Sequence, residues 1–273
     1  MYVMGIVNIT DDSFFGGSRC IKDGRIDMNL VRSRVADMIE DGASIIDFGA
    51  CSTRPGSASV SEDEELRRLR PVLGMMVREF PEVCVSVDTF RSSVVKMAAG
   101  ILASSLAPTP LIVNDISAGE DDAEMLATVG ALGLPYIAMH KRGVPANMQE
   151  HCDYPEGVLK AVDDYFDDFA LRAEINGIKE WILDPGFGFS KTIDQNYELL
   201  RGMERLARHG RPILVGVSRK SMIYRLFGTT PDESLPETQV LHFAALQRGA
   251  SILRVHDVRE AVHTIEMFRR LGV

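Results

Sequence analysis

Eight short apolar segments in this chain each end at a polar or ionisable residue, and stretches long enough for a helix separate them. The segments end at Asn8, Asp47, Asp88, Asn114-Asp115, His140, Asp184, Ser218-Arg219-Lys220 and, last, Arg254 with His256. Short apolar runs that alternate with helical patterns indicate βαβ units and a parallel sheet, and eight such units predict a TIM (β/α)8 barrel. The active site of that fold lies at the C-terminal ends of the strands, so the eight end points should converge and carry the chemistry of an enzyme.

The apolar runs and the capping signals set the expected boundaries of the elements. We place the strands near residues 3–8, 44–48, 83–87, 111–114, 135–139, 180–184, 213–217 and 252–255. Ser61–Glu64 and Asp257–Glu260 have the capping-box pattern of a helix start, and Thr230–Glu233 places a proline at a first helical position. The longest helical pattern spans residues 156–177, and Gly177 can end it.

Length and composition bound the class of protein. A chain of 273 residues is within the size that α/β barrels reach as one domain, and no linker divides it, so we expect one domain over residues 1–273. The net charge of −9 argues against binding to nucleic acid or to an anionic membrane, although a local basic cluster can still bind an anionic substrate. Scattered cysteines, no apolar run of membrane-spanning length and no visible signal peptide predict a cytoplasmic protein.

Two connections are long and lack a helical pattern. The first loop runs from Thr10 to about Asp27, and the second loop runs from Gly49 to Val60. Long loops after barrel strands are often lids over the active site, and the alternative is a passive surface loop. Their position at the catalytic face, together with Arg54 in the second loop, favours lids.

Basic residues follow the last two predicted strands. Arg219, Lys220 and Ser221 open the helix after the seventh strand, where free backbone N–H groups attract anions. Arg254 and His256 follow the neighbouring eighth strand. A lone Arg-Lys pair is usually a solvated helix start, but basic groups after two adjacent strands favour a seat for a carboxylate or phosphate. The pattern by itself identifies only an anion.

Two aspartates, Asp88 and Asp184, end buried strands on opposite sides of the predicted barrel. Helix capping is the alternative interpretation, and for Asp115 and Asp257 it is the better one. Asp184 differs, because two glycines and two phenylalanines follow it within residues 185–189. A carboxylate beside flat aromatic rings suits a planar heterocycle that presents N–H donors.

Asn8, Asn114 and His140 complete the predicted mouth of the barrel. An asparagine carries a donor and an acceptor, so it can recognise the edge of a heterocycle. His140 could bind a metal, but no second His or Cys has the spacing of a structural zinc site. A magnesium ion needs few protein ligands, and Asn8 could supply one of them.

Eight segments in order carry a family resemblance. They are Met4–Thr10, Ser52–Gly56, Val87–Thr89, Asn114–Ser117, Met139–His140, Leu183–Phe189, Gly216–Ser221 and Leu253–Asp257. Together they resemble the dihydropteroate synthase family over essentially the whole chain. The resemblance implies a reaction that joins para-aminobenzoate to 7,8-dihydropterin-6-ylmethyl diphosphate, releases pyrophosphate and forms 7,8-dihydropteroate for folate synthesis. It also implies Mg²⁺ as cofactor, a homodimer, and competition of sulfonamides with para-aminobenzoate.

The resemblance also implies a role for each matching residue. Those implied to hold the pterin are Asp88, Asn114, Met139, Asp184, Lys220 and Arg254. Those implied to hold the diphosphate are Arg54, Arg254 and His256. The implied para-aminobenzoate pocket comprises Thr53, Pro55, Phe189, Lys220 and Ser221. Asn8 would contact Mg²⁺, and the implied catalytic residues are Asp88, Lys220 and Arg54, with Asp88 stabilising a pterin-methyl cation after pyrophosphate leaves.

Two other functions compete with this interpretation. A pterin-binding methyltransferase module would need Asp88, Asn114 and Asp184 but has no use for the Ser-Thr-Arg-Pro and Ser-Arg-Lys-Ser motifs, which are present. A non-catalytic paralogue should have lost a catalytic position, and the motifs show no such loss. The sequence departs from the common family pattern at several positions, which bear on the lids and on sulfonamide response more than on the reaction. These positions are Asp11, Phe15, Cys51, Lys141 and Ser190.

Overall fold

The computed structural model describes residues 1–10, 20–22, 25–51, 60–104, 108–144 and 147–272. The strands in these residues are β1 (Tyr2–Asn8), β2 (Ile21–Lys22), β3 (Arg25–Ile26), β4 (Ile45–Gly49), β5 (Cys84–Asp88), β6 (Leu111–Asp115), β7 (Tyr136–Met139), β8 (Trp181–Asp184), β9 (Ile213–Val215) and β10 (Ala250–Val255). The helices are α1 (Met28–Glu40), α2 (Glu62–Glu79), α3 (Ser92–Leu102), α4 (Met125–Leu132), α5 (Val158–Ile175), α6 (Ile193–Arg201), α7 (Ser221–Phe227), α8 (Leu235–Gln247) and α9 (Val258–Leu271). Short 3₁₀ segments lie at Met148–Glu150 and Met203–His209.

Eight parallel strands close into a barrel in the order β1-β10-β9-β8-β7-β6-β5-β4. The predicted TIM (β/α)8 barrel is therefore confirmed, and each of the eight predicted strands is present. Strand β9 ends at Val215, two residues before the predicted end, because the carbonyl of Val217 already accepts a hydrogen bond from Lys220 N in the turn before α7.

The interior of the barrel has two tiers. The lower tier, the floor, is an apolar cluster of Met4, Ile45, Ile112, Ile137, Ile182, Leu214 and Ile252. Alternate residues of a strand point to the same side, so the residue two positions after each floor residue also faces the interior. On four strands this upper tier is charged or amide-bearing, and its members there are Asp47, Asn114, Asp184 and Arg254. The polar side chains of the upper tier thus lie directly above the apolar floor.

Strand register brings further end residues to the same level. Asn8 pairs with Gly49, Gly49 pairs with Asp88, and Asp88 pairs with Asn114. On the other side of the barrel, Met139 pairs with Asp184. This pairing explains why polar residues more than a hundred positions apart in sequence converge on one mouth.

The opposite faces of the strands pack against the helices in two buried clusters. The larger cluster includes Phe166 and Phe169 of α5 with Trp181 of β8. The other cluster includes Met75 and Met76 of α2. Aromatic contacts tighten the first, since the rings of Phe169 and Trp181 lie 5.1 Å apart. The helices are therefore fixed to the outside of the barrel, and their N-terminal ends face its mouth.

The predicted helix starts are partly wrong. Ser61 does cap α2, accepting from Glu64 N at 3.3 Å. Asp257 stands at the start of α9 but makes no capping bond, because both of its oxygens bind Arg219. The helix predicted at Thr230 begins instead at Leu235, since the Glu233 carboxylate accepts from Thr230 and closes a turn there.

The long helix ends where the sequence predicts, and part of the first loop forms short strands. Helix α5 ends at Ile175, and Gly177 follows with φ +73°, as predicted for a helix end. The first loop is not entirely irregular, because β2 and β3 pair within it as antiparallel strands. Residues 11–19 and 23–24 of the first loop and residues 52–59 of the second loop lie outside the described residues. Within the described part of the chain, no helix has the length and apolarity needed to cross a bilayer.

Candidate active site

Arg254 is the centre of a charged network in the upper tier. Its Nε donates to Asp47 Oδ2 at 2.7 Å, and its Nη2 lies 2.6 Å from Asp47 Oδ2 and 2.8 Å from Asp88 Oδ2. Asn114 Nδ2 donates to the two oxygens of Asp47 at 3.2 and 3.4 Å. The Asp47 side chain is fully buried, whereas those of Arg254 and Asp88 are 20% and 17% exposed. Two carboxylates therefore share one guanidinium at the mouth of the barrel.

Asp88 is the member of this network whose ionisation is most sensitive to its surroundings. Burial raises its pKa to about 7, with the Arg254 guanidinium opposing the rise and the Asp47 carboxylate adding to it. Arg254 itself has a raised pKa, because the two carboxylates outweigh its burial. The ionisation of Asp88 therefore depends first on its burial and then on the charges of Arg254 and Asp47.

Asp184 faces this network from β8. It is buried, and its Oδ1 accepts a hydrogen bond from Gly186 N at 2.8 Å. Burial raises the pKa of Asp184, while Lys220, the same backbone N–H and Arg254 oppose the rise. Capping is not its role, since α6 begins at Ile193 with its own capping box of Thr192 and Gln195, which sequence reasoning missed.

Lys220 lies between the loop that follows β8 (residues 184–190, the β8 loop) and strand β10. Its Nζ donates to the Phe187 carbonyl at 2.5 Å and lies 5.0 Å from the centre of the Phe189 ring. Burial lowers its pKa to about 8, and the Asp184 carboxylate opposes that fall. Ser221 follows as the first residue of α7. Lys220 therefore lies near both the Phe189 ring and Asp184, and Ser221 is its neighbour in the chain.

The other basic residues predicted at the anion seat have different surroundings. Arg219 does not face the mouth: it donates to both oxygens of Asp257 at 2.8 Å and to the carbonyls of Pro231 and Asp232. Its backbone has φ +54°, and its side chain contacts the residues that precede α8 and α9. His256 lies at the rim, where its Nδ1 is 3.1 Å from Ser218 Oγ.

Asn8 lies beside Asp88 at the end of β1. A Cβ built on Gly49 would lie 3.5 Å from Asn8 Oδ1 and 3.7 Å from Asp88 Oδ2. These oxygens face the same small space, which the missing side chain of Gly49 leaves open. In the described residues, no group of three or more His, Cys, Asp and Glu side chains is placed to hold a metal ion. An amide oxygen fits Mg²⁺, which takes few protein ligands and fills its other positions with water and phosphate.

Met139 ends β7, and His140 follows it in contact with the β8 loop. Met139 is 3% exposed and pairs with Asp184, so it forms part of the wall beside that carboxylate. His140 Nδ1 lies 3.0 Å from Lys191 Nζ, and burial, with Lys191 next in effect, lowers the pKa of His140 well below its usual value. His140 is therefore a neutral side chain that contacts Lys191, the lysine bound to the β8 loop.

Three of the unusual residues have defined contacts. Lys141 is buried and its Nζ lies 3.1 Å from Asp121 Oδ2, which joins the loops after β7 and β6. Ser190 Oγ donates to the Arg142 carbonyl at 2.7 Å and accepts from Arg142 N at 2.8 Å. Cys51 Sγ lies 3.4 Å from Arg91 Nη1, at the start of the second loop. Asp11 and Phe15 lie outside the described residues.

Sequence reasoning assigned no role to two residues of this region. Asp47 was identified only as the end of an apolar run, although its spacing of two from Ile45 could have placed it in the interior. Lys191 carries no local sequence signal, because its contacts are two backbone carbonyls and the side chain of His140, 51 positions away. Thr53, Arg54 and Pro55 lie outside the described residues, so their placement is not described.

Comparisons with known proteins give the class and then the family. The family model described as "Pterin binding enzyme" matches residues 4–256. The dihydropteroate synthase of Escherichia coli is 40% identical over 271 residues, which cover 97% of this chain and 90% of that protein. The barrel and its mouth are thus those of a pterin-binding enzyme. The chain belongs to the dihydropteroate synthase family.

Solved structures agree with this membership. A Yersinia pestis dihydropteroate synthase in a sulfonamide drug complex superposes with a TM-score of 0.90 at 34% identity, covering 99% of this chain and 94% of that one. A Xanthomonas albilineans dihydropteroate synthase with 4-aminobenzoic acid gives a TM-score of 0.85 at 33% identity, covering 100% and 93%.

Proposed function

We propose that this protein condenses para-aminobenzoate with 7,8-dihydropterin-6-ylmethyl diphosphate, releasing pyrophosphate and forming 7,8-dihydropteroate in folate biosynthesis. Its relatives of that name match nearly the whole chain, and solved relatives bind 4-aminobenzoic acid and a sulfonamide drug. The observation that carries the proposal is the buried Asp184 carboxylate facing the Arg254 network across the mouth, with Lys220 beside it.

The upper tier is suited to a pterin. A 2-amino-4-oxo ring presents adjacent N–H donors, for which a buried carboxylate such as Asp184 is a strong acceptor. We assign Asp88 and Asn114 to the opposite edge of the ring, because both lie at one level of the barrel through strand pairing. Met139 of β7 would contact the ring face, and Arg254 of β10 would cover it.

Para-aminobenzoate would lie nearer the surface. Phe189 offers a flat ring, while the Lys220 ammonium and the Ser221 hydroxyl can bind a carboxylate or its sulfonyl equivalent. Thr53 and Pro55 would complete this pocket, as the family resemblance implies. Sulfonamides would then compete for the same place.

The diphosphate would extend towards the rim. Arg254 uses Nε and Nη2 for Asp47 and Asp88, so Nη1 is the part of the guanidinium that we assign to the diphosphate. Arg54 and His256 would bind the remaining oxygens, and Asn8 would hold Mg²⁺ through its amide oxygen. When bound, the ion would supply positive charge to the departing pyrophosphate.

The residues of the chain have defined tasks in such a reaction. The bond between the pterin methylene and the diphosphate oxygen breaks, and the arylamine nitrogen forms the new bond and loses a proton. Ionised Asp88, supported by Arg254, would stabilise positive charge on the pterin methylene. Lys220 would hold the second substrate in line, and closed lids would exclude the water that competes with the amine.

Pyrophosphate release tests the function directly. We expect purified protein to release pyrophosphate only when both substrates and Mg²⁺ are present, with one pteroate formed for each pyrophosphate. Omitting para-aminobenzoate controls for simple hydrolysis. Pterin binding without any product across a range of Mg²⁺ concentrations would instead identify a non-catalytic paralogue.

The assembly and the location are part of the same proposal. Val240 of α8 and Met267 and Leu271 of α9 are apolar and 60% or more exposed, which favours a homodimer through these helices. We also propose one domain over residues 1–273 and a cytoplasmic location, which the scattered cysteines support. Sedimentation analysis of wild type and of Val240→Glu tests the dimer, since a buried glutamate should separate the subunits.

A further inference from the structure

Lys191 is a buried lysine that the proposed reaction does not use. It follows the β8 loop, residues 184–190, and is 3% exposed. Its Nζ contacts the Gly186 carbonyl at 2.9 Å, the Phe189 carbonyl at 3.0 Å and His140 Nδ1 at 3.0 Å. An ammonium group has three N–H donors, and here each has one acceptor.

The β8 loop has a conformation that needs such support. Gly186, Gly188 and Ser190 all have positive φ, at 72°, 82° and 51°. A Cβ on Gly186 would lie 2.0 Å from the His140 carbonyl, so the loop backbone is packed directly on the end of β7. Residues in this region of φ are strained or restricted to glycine, and they persist only where surrounding contacts fix them.

The contacts lead from Lys191 to Asp184. Lys191 holds the Gly186 carbonyl, and the N–H of Gly186 in turn donates to Asp184 Oδ1 at 2.8 Å. Lys191 thereby holds the peptide unit that follows the Gly186 Cα, while the N–H that binds the carboxylate lies in the peptide unit before it, so the two contacts are linked through one residue. Its positive charge also acts on the same group, because Lys191 is among the cations that oppose the rise in the Asp184 pKa.

His140 is the third hydrogen-bond partner of the Lys191 ammonium. Because burial and Lys191 keep His140 neutral, its Nδ1 is an acceptor and its proton resides on Nε2. The Asp184 carboxylate opposes the fall in the pKa of Lys191 that burial causes, to about 7. The lysine and the aspartate thus support each other's ionised forms within one buried loop.

We propose that Lys191 is a positioning residue for the pterin site, which holds the β8 loop through the Gly186 and Phe189 carbonyls and keeps the Asp184 carboxylate oriented and ionised. This proposal rests on the proposed function, since it assumes that Asp184 binds the pterin. Lys191 contacts no substrate itself, and its effect passes through Asp184.

A double-mutant cycle tests the proposal by calorimetry with a pterin that lacks the diphosphate. Lys191→Met removes the charge and the donors, and we expect it to weaken pterin binding about tenfold to a hundredfold. In an Asp184→Asn background, Lys191→Met should cost little more, because residues that act through one another are not additive. Lys179→Met, an exposed lysine before the other end of β8, is the matched control and should bind like wild type.

Each outcome decides the matter. Wild-type affinity in Lys191→Met, or losses that multiply in the double variant, would overturn the proposal. Lys191→Gln carries the same cycle if Lys191→Met does not fold, and failure of both to fold while Lys179→Met folds would show a purely structural lysine, which also overturns it. If wild type itself binds no pterin, the proposed function fails instead.

Discussion

Replacing Asp47 by asparagine should destabilise the protein more than the same replacement at an exposed aspartate. The change keeps the size of the side chain and removes the charge that accepts two contacts from Arg254, at 2.6 and 2.7 Å. Asp47 is completely buried, so no water can replace the lost partner. The asparagine also places an NH₂ group against either Arg254 or the Asn114 amide, both of which are donors.

The size of the loss follows from burial. Removing one member of a buried ion pair costs about 3–5 kcal/mol, and Asp88 remains to share the Arg254 charge, so we expect about 3 kcal/mol. For a chain of this length, such a loss lowers the thermal midpoint by roughly 6–12 °C. Differential scanning calorimetry at neutral pH measures both quantities.

Asp41→Asn provides the matched control. Asp41 also pairs with an arginine, but Arg259 is 66% exposed and the contact lies in solvent. Exposed ion pairs contribute little to stability, so the midpoint of this variant should remain close to that of wild type. Equal midpoints for Asp47→Asn and Asp41→Asn would refute the view that a buried network organises the mouth.

Asp47→Asn should also shift the pH dependence of activity. In wild type, the lower limb of kcat/KM should fall near pH 7, where Asp88 gains a proton, and the upper limb near pH 8, where Lys220 loses one. Asp47 is one of the charges that raise the pKa of Asp88, so removing it should move the lower limb to lower pH. A limb that stays in place or moves upward would contradict the electrostatic coupling.

Three further perturbations test other parts of the site. Asp184→Asn should weaken pterin binding about tenfold to a hundredfold by calorimetry, whereas Asp194→Asn, exposed on α6, should not. Arg54→Ala should lower turnover by about a hundredfold to a thousandfold while binding of a pterin without diphosphate is kept, and turnover within about twofold of wild type would show a passive loop. Gly186→Ala should destabilise the fold because its Cβ would meet a carbonyl, whereas Gly100→Ala has open space in α3 and should gain up to about 1 kcal/mol in denaturant unfolding.

The strands and the convergence of their ends were predictable from the sequence. Apolar runs between helical patterns determine a parallel barrel, and the closure of that barrel brings Asp88, Asn114 and Asp184 to one mouth. The role of Asp47 required one further step, since only alternation along β4 shows that it points inward over the floor.

Other features depend on contacts between distant segments and leave no local pattern. Asp257 has the sequence context of a helix cap, but an arginine 38 positions away binds its carboxylate instead. Lys191 has the appearance of an ordinary loop lysine until its three acceptors are seen together. Local signals therefore identify the elements, while tertiary competition decides which partner a charged side chain takes.

The β8 loop is held through backbone carbonyls, so its shape depends little on which side chain stands at Phe189. Lys191 and Lys220 bind carbonyl oxygens of residues 186, 187 and 189, and every amino acid supplies such an oxygen. The aromatic side chain at Phe189 can therefore be exchanged while the loop keeps its shape. An inhibitor that relies on the Phe189 ring depends on a replaceable surface. In the proposed site, one that relies on Asp184 depends on the carboxylate that would also bind the pterin substrate, so we expect resistance to arise first on the aromatic side of the pocket.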